Sequence, residues 1–174
     1  MKIAVVDDSK FTRMVIKQIL NDLSNTDFCW EAENGKIALE KNTRDPVDLI
    51  ISDLEMPVLD GLQLLKTVIG GEAKTNCLLI SAFHKSNQPK IIDALKAGAI
   101  GFIEKNSLGK GFDINSLKKE IDKYINFLTQ DNILKKEIRP ISLENNLNKS
   151  VITNRADIIS IIGSAGSLGP IEKI

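Results

Sequence analysis

The sequence is poor in the residues on which metal centres and nucleophilic enzymes most often depend. Its 174 residues include two cysteines, one histidine, one tryptophan and one tyrosine, and aromatic side chains make up 5%. A single histidine, His84, cannot build a histidine-based metal centre, and it falls between a strand-like and a helix-like segment, where a solvent-facing loop residue is expected. Cys29 and Cys77 lie in the apolar runs FCWEA and NCLLIS. They read as small buried strand residues rather than as a disulfide or a metal site. The chain also lacks net charge, with 23 Lys plus Arg against 23 Asp plus Glu. It therefore exerts no global pull toward nucleic acid or an anionic membrane. No apolar run approaches the roughly 20 residues that span a bilayer. The start, MKIAVVDD, meets two acids too soon to be a signal peptide. These absences point to a soluble chain of the cytoplasm.

What is present is enough apolar residue, 43%, for one domain of about 100 to 150 residues and an appendage. Short β-branched runs alternate with stretches of helical period. Strands are expected at Ile3–Val6, Phe28–Ala32, Asp48–Ser52, Cys77–Ser81 and Ala99–Ile103. Helices are expected over Ser9–Leu23, Gly35 to about Lys41, Asp60–Ile69, Pro89–Lys96 and Ile114–Leu128. The first helix carries a stripe of Phe11, Val15, Ile16, Ile19, Leu20 and Leu23. The third carries Leu62, Leu65 and Ile69 on one face, and Phe28 and Trp30 are expected in the core. Five strands alternating with five helices imply an α/β fold, a parallel sheet covered on both sides. Ligands of such sheets bind beyond the carboxyl ends of the strands.

The strand ends hold Asp7 and Asp8, then Asp53, then Ser81, then Glu104 and Lys105. On a parallel sheet these endings share one edge. Three carboxylates brought together repel one another and raise each other's pKa unless a cation lies among them. Oxygen ligands without histidine or cysteine select a hard divalent ion, and Mg²⁺ is the usual one. A lysine and a hydroxyl at the same edge suit a phosphoryl group. Helix capping, by Ser9 or Asp8, accounts for one acid but not for three with a lysine.

These residues carry a resemblance. Asp7-Asp8, Asp53 in IISDLEMPVLDGL, Ser81-Ala82 in LLISAF and Lys105 in GAIGFIEK make residues 1–128 similar to the receiver domain of two-component response regulators. The resemblance implies a flavodoxin-like (CheY-like) sheet of order 2-1-3-4-5. It also implies roles: Asp53 as phosphoacceptor, and Asp8, with Asp7 as a supporting acid, Asp53 and the Glu55 carbonyl around Mg²⁺. Lys105 would pair with the phosphoryl oxygens, while Ser81 and Phe102 would form the switch. Pro57 and Gly61 would shape the loop and the start of the third helix. The implied donor is a sensor histidine kinase.

From Thr129 the chain turns polar and Asn-rich, so residues 129–156 read as a linker or, up to Ile138, as an extension of the last helix. Residues 157–174 then resemble a strand, a glycine-serine turn and a helix start. The glycines are not followed by Gly-Lys-Ser/Thr, and their spacing is not that of a dinucleotide fingerprint. No helix-turn-helix is legible in the tail. The stretch IIGSAGSL is similar to the opening of the catalytic domain in chemotaxis protein-glutamate methylesterases of the CheB type. That resemblance makes Ser164 the nucleophile candidate, with Ser167 a weaker one, and chemoreceptors and the chain's own output domain the partners. A serine esterase also needs a histidine base and a carboxylate. His84 belongs to the first domain, so the expectation is an incomplete second α/β domain without esterase activity. The alternative is a stand-alone receiver that acts by protein–protein interaction and carries a non-functional tail.

Overall fold

The computed structural model describes residues 1–71, 74–82, 86–105 and 114–137, with residues 131–137 described by their backbone alone. The elements run β1 (Lys2–Val6), α1 (Lys10–Asn21), β2 (Asp27–Ala32), α2 (Gly35–Arg44) and β3 (Leu49–Ser52). They continue with α3 (Gly61–Ile69), β4 (Asn76–Ser81), α4 (Gln88–Lys96), β5 (Gly101–Glu104) and α5 (Ile114–Glu137). The strands form one parallel sheet of order β2-β1-β3-β4-β5. The expected α/β architecture and strand order are therefore present.

The sheet alternation decides which helix covers which face. Ile3, Val5, Leu49, Ile51, Leu78 and Ile80 point into one cluster with Val15, Ile16, Ile19 and Leu20 of α1 and Leu117, Ile121 and Ile125 of α5. The intervening Ala4, Val6 and Ile50 pack with Ala38 of α2 and with Leu64 and Val68 of α3. Cys77 and Leu79 pack with Leu65 of α3 and with Ile91 and Ala94 of α4. Both faces are thus dry, which is why the inner strands read as continuous apolar runs. The helix starts are fixed by side-chain caps. Ser9 accepts from the Thr12 amide, Asn34 from the Ile37 amide, and Asp60 with Gln63 forms a capping box.

Some of the finer expectations hold and others are corrected. Phe11 is 62% exposed. In the first turn of α1 the inward position belongs to Thr12, one residue on. On α3, Ile69 is exposed, and Leu64 and Val68 complete the buried face. Trp30 is buried, with its indole N–H donating to the Asp45 carbonyl at 2.9 Å, but Phe28 is only partly covered. Cys77 is fully buried, and that burial pushes its thiol up to about 12. Cys29, by contrast, lies half-buried on the edge strand, and both cysteines are free. Strand β5 starts at Gly101 rather than Ala99. Gly98 takes a left-handed φ of 108°, and the Ala99 amide still donates to Ala94 of the preceding helix. Helix α5 continues through Glu137, over the stretch read as linker or as an extension of the last helix up to Ile138. The rest of the expected linker, residues 138–156, and the expected domain start at 157–174, with Ser164 and Ser167, lie outside the described residues. So does His84.

Gly61 ties the fold to the sheet edge that carries Asp53. A Cβ on Gly61 would collide with the Asp53 carbonyl oxygen and the Leu54 Cα. The Gly61 amide meanwhile donates to the Leu54 carbonyl at 3.0 Å. Gly61→Ala should therefore lower unfolding stability by about 1–3 kcal/mol through forced overpacking, read as a fall in the urea midpoint. A midpoint equal to that of wild type would reject this close approach.

Candidate functional site

Three of the strand-end acids meet. A carboxylate oxygen from each of Asp7, Asp8 and Asp53 can be chosen so that all three lie within 4.8 Å of one another. Asp7 and Asp53 are buried and Asp8 is exposed. Asp7 extends β1, its amide donating to the Ala32 carbonyl of β2 at 3.1 Å. Asp53 extends β3, its amide donating to the Val6 carbonyl of β1 at 2.8 Å. The parallel register, with Val6 opposite Ser52, thus sets the two acids side by side.

Lys105, just past β5, reaches into this group. Its ammonium lies 2.7 Å from Asp7 Oδ2 and 2.5 Å from Asp53 Oδ2, and its side chain is 15% exposed. Only the Asp53 contact has the geometry of a hydrogen bond. Asp7 Oδ2 is buried without a hydrogen-bond partner, so its contact with Lys105 is an ion pair lacking a well-directed donor. The other oxygens are better served. Asp7 Oδ1 accepts from the Ser9 amide at 2.8 Å, and Asp53 Oδ1 accepts from the Glu55 amide at 3.3 Å. One ammonium facing three carboxylates leaves net negative charge in the pocket. A hydrogen-bond-starved buried oxygen and an all-oxygen donor set fit a hard divalent cation such as Mg²⁺.

The other expected residues take their places around this core. Ser81 ends β4, is buried, and pairs in register with Glu104 of β5. Phe102, opposite Leu79, is partly covered and packs against the cluster of Leu65, Leu79, Ile91 and Ala94. Glu55 contributes the amide that holds Asp53. Beyond it the loop tightens around Val58, which has a positive φ of 70°, and the Leu59 amide donates to the Pro57 carbonyl at 2.8 Å. This is a γ-turn of the strained kind. The Leu59 carbonyl anchors it to α2 by accepting from the Gly35 amide at 3.0 Å.

Two contributors escaped the sequence reading. Ser52 Oγ donates to the Asp53 carbonyl at 2.8 Å. Arg13 of α1 donates from one guanidinium nitrogen to the Asp7 carbonyl at 2.7 Å. Spacing alone gives no signal for the second, because an arginine on a helix normally reads as surface.

The electrostatics follow from burial. Burial raises the Asp7 carboxyl above the usual carboxylate range and the Asp53 charge adds to this, while Lys105 and the Ser9 amide only partly offset it. For Lys105, burial alone would lower the ammonium, but the hydrogen bond to Asp53, the close ion pair with Asp7 and the two negative charges outweigh it and raise it. A carboxyl that holds its proton more tightly folded than unfolded costs stability once ionised, and below the ordinary carboxylate range that cost vanishes. Asp7→Asn should therefore raise the Tm of the metal-free protein at pH 7, and the gain should shrink as pH falls through the carboxylate range. A variant less stable than wild type at pH 7 would contradict this balance.

Comparison with known proteins agrees with this geometry. The family model for the response regulator receiver domain matches residues 3–122. A protein-glutamate methylesterase/protein-glutamine glutaminase of Methanosarcina mazei is 28% identical over 172 residues, 98% of this chain and 47% of that protein. Chemotaxis protein CheY of Bacillus subtilis is 36% identical over 125 residues, 72% of this chain and 98% of that protein. The crystal structure of the response regulator domain of Thermotoga maritima CheB superposes with a TM-score of 0.63 at 31% identity, covering 72% of this chain and 93% of that one. The chain matches between 27% and 47% of the length of the methylesterase relatives it resembles. Among the described residues no helix is long and apolar enough to cross a membrane. With the acid group, the bridging lysine and the strand order all in place, the chain belongs to the response regulator receiver domain family.

Proposed function

We propose that the chain is a phosphorelay response regulator that takes a phosphoryl group onto Asp53 from a chemotaxis-type sensor histidine kinase. The observation that carries this is the setting of Asp53. It is a buried carboxylate at a strand end, held by the Glu55 amide and the Lys105 ammonium, with two further acids beside it. A carboxylate so fixed is a nucleophile whose orientation is set before the donor arrives.

An Asp53 oxygen attacks phosphorus in line with the bond to the donor. The O–P bond forms and the P–N bond of a phosphohistidine breaks. The electron pair leaves with the imidazole nitrogen, which takes up a proton. Lys105 moves its charge onto the phosphoryl oxygens. Mg²⁺, held by Asp8, Asp7, Asp53 and the Glu55 carbonyl, would supply neutralisation of the acids and of the phosphoryl charge. The Ser81 hydroxyl then turns toward the phosphoryl group, and Phe102 repacks on its cluster. The changed surface is that of α4, β5 and α5, where Ile92 and Leu95 already stand 44% exposed.

The output of this switch, on our reading, is a chemotaxis methylesterase acting on chemoreceptors in the cytoplasm. The likeness to the Methanosarcina methylesterase supports this, because it runs through nearly the whole chain and so includes the stretch with Ser164. A second reading, a stand-alone receiver working through protein–protein contact, is favoured by the near-complete coverage of the Bacillus CheY protein. Reading the coding sequence beyond Ile174 separates them. A catalytic domain carrying histidine and aspartate supports the first, and unrelated sequence supports the second.

Incubation with acetyl phosphate and Mg²⁺ should add one acid-stable, base-labile phosphoryl group to the wild type, seen by intact mass. Asp53→Asn should take up none, and chelation of the metal should reduce uptake at least tenfold. Wild type that stays unmodified under these conditions would refute the phosphoacceptor reading.

A further inference from the structure

The carboxylates of Asp7 and Asp8 hang from a turn that is itself held from outside the pocket. Arg13, one turn into α1, donates from a single guanidinium nitrogen to the Asp7 carbonyl at 2.7 Å, and that nitrogen also lies 3.4 Å from the Asp8 carbonyl. The Arg13 side chain is 12% exposed. Its Nε is buried without a hydrogen bond and faces Glu31 Oε1 of β2 at 3.7 Å. Glu31 is in turn fixed through its backbone, its carbonyl accepting from Lys41 of α2 at 2.8 Å. A chain of contacts thus runs from α2 through the edge strand to the peptide groups that carry the two acids.

We infer that Arg13, steadied by Glu31, is a positioning residue for divalent-cation binding: it fixes the Asp7–Asp8 turn and so aims the two carboxylates. This rests on the metal-dependent reading of the site given above. The two acids need this help unequally. Asp7 is also held at its side chain by the Ser9 amide and by Lys105. Asp8 is exposed, so its direction depends on the backbone beneath it. Groups that orient metal ligands without touching the ion typically account for 10- to 100-fold in affinity.

Charge and geometry predict opposite signs, and this makes the inference decidable. A guanidinium close to the site repels a cation, so by Coulomb's law alone its removal would tighten metal binding. Glu31, at 3.7 Å, sets an opposite charge beside that guanidinium. Geometry then dominates, and removing the arginine weakens binding.

The test uses the full chain with Mn²⁺ as probe, counting free ion by electron paramagnetic resonance. Arg13→Met should bind Mn²⁺ about tenfold more weakly than wild type. Arg13→Lys, which keeps the charge but not the planar fork, should fall between the two. Saturating Mg²⁺ should return the rate of Asp53 phosphorylation by acetyl phosphate in Arg13→Met to near the wild-type value, so the loss lies in metal affinity. A folded Arg13→Met, by circular dichroism, with wild-type or tighter affinity overturns the inference. If that variant does not fold, Arg13→Lys decides: it keeps the positive charge but not the fork that reaches the Asp7 carbonyl, and affinity equal to wild type overturns the inference. Wild type that binds no Mn²⁺ overturns the metal reading and this inference together, whereas binding that is indifferent to Arg13 overturns this inference alone.

Discussion

The repulsion between Asp7 and Asp53 is the constraint to which the rest of this edge answers. Two buried carboxylates on neighbouring strands are a cost that apolar packing cannot offset. The structure meets it with the Lys105 ammonium between them and with one backbone amide on the other oxygen of each. The compensation is incomplete, since Asp7 Oδ2 has an ion-pair neighbour but no directed donor. Incomplete compensation is what a binding site requires. A pocket whose every lone pair was satisfied would have no reason to take up a cation or a phosphoryl group.

The fold creates this situation through its topology. From β1 the chain leaves to α1, on the face shared with α5. From β3 it leaves to α3, on the opposite face. The loops after two adjacent strands therefore diverge, and a crevice opens between them at the carboxyl edge. Asp7 and Asp8 stand on one side of it and Asp53 on the other. The close approach of Gly61 to the Asp53 carbonyl, and the γ-turn at Val58, keep the second loop from relaxing into the gap. Strain at Val58 persists because the loop is anchored on both sides, by the hydrogen bond between Gly35 and Leu59 and by the capping box of α3.

The alternation of strands and helices and the acid group were legible in the sequence because they follow from period and from position, whereas the strand order was implied by the resemblance to receiver domains. β-branched runs mark the strands, and the residue after each run falls at one edge by geometry alone. Burial on helix faces was less legible. Phe11 is the largest residue of its stripe and still faces solvent, since the first-turn position nearest the sheet belongs to Thr12. A residue's place along the helix relative to the end of the sheet decides this, and periodicity does not encode it. The start of β5 was misplaced because Ala99 and Ile100 look like strand, whereas Gly98 keeps Ala99 bonded to the preceding helix. Arg13 was missed for a related reason. Its partners are backbone carbonyls, and a sequence shows side chains but not which carbonyls remain without a donor.

The same geometry constrains how a signal could leave the site. Lys105 holds Asp7 and Asp53 with one ammonium. On the proposed reading, a phosphoryl group on Asp53 would compete for that ammonium and so disturb the Asp7 contact. Lys105 directly follows β5, whose Phe102 lies opposite Leu79 on β4, and Ser81 ends that same strand. Lys105 thus adjoins a strand pair that packs on α4 through the cluster of Leu79, Ile91 and Ala94, against which Phe102 lies. Packed interiors of this density move between discrete arrangements rather than by gradual flexing. Phe102 is a partly covered aromatic at the rim of that cluster, whereas Leu79 and Ala94 are fully buried. On the proposed phosphoryl reading, Phe102 is the point where charge at the acid edge would become a change of shape on the α4 side.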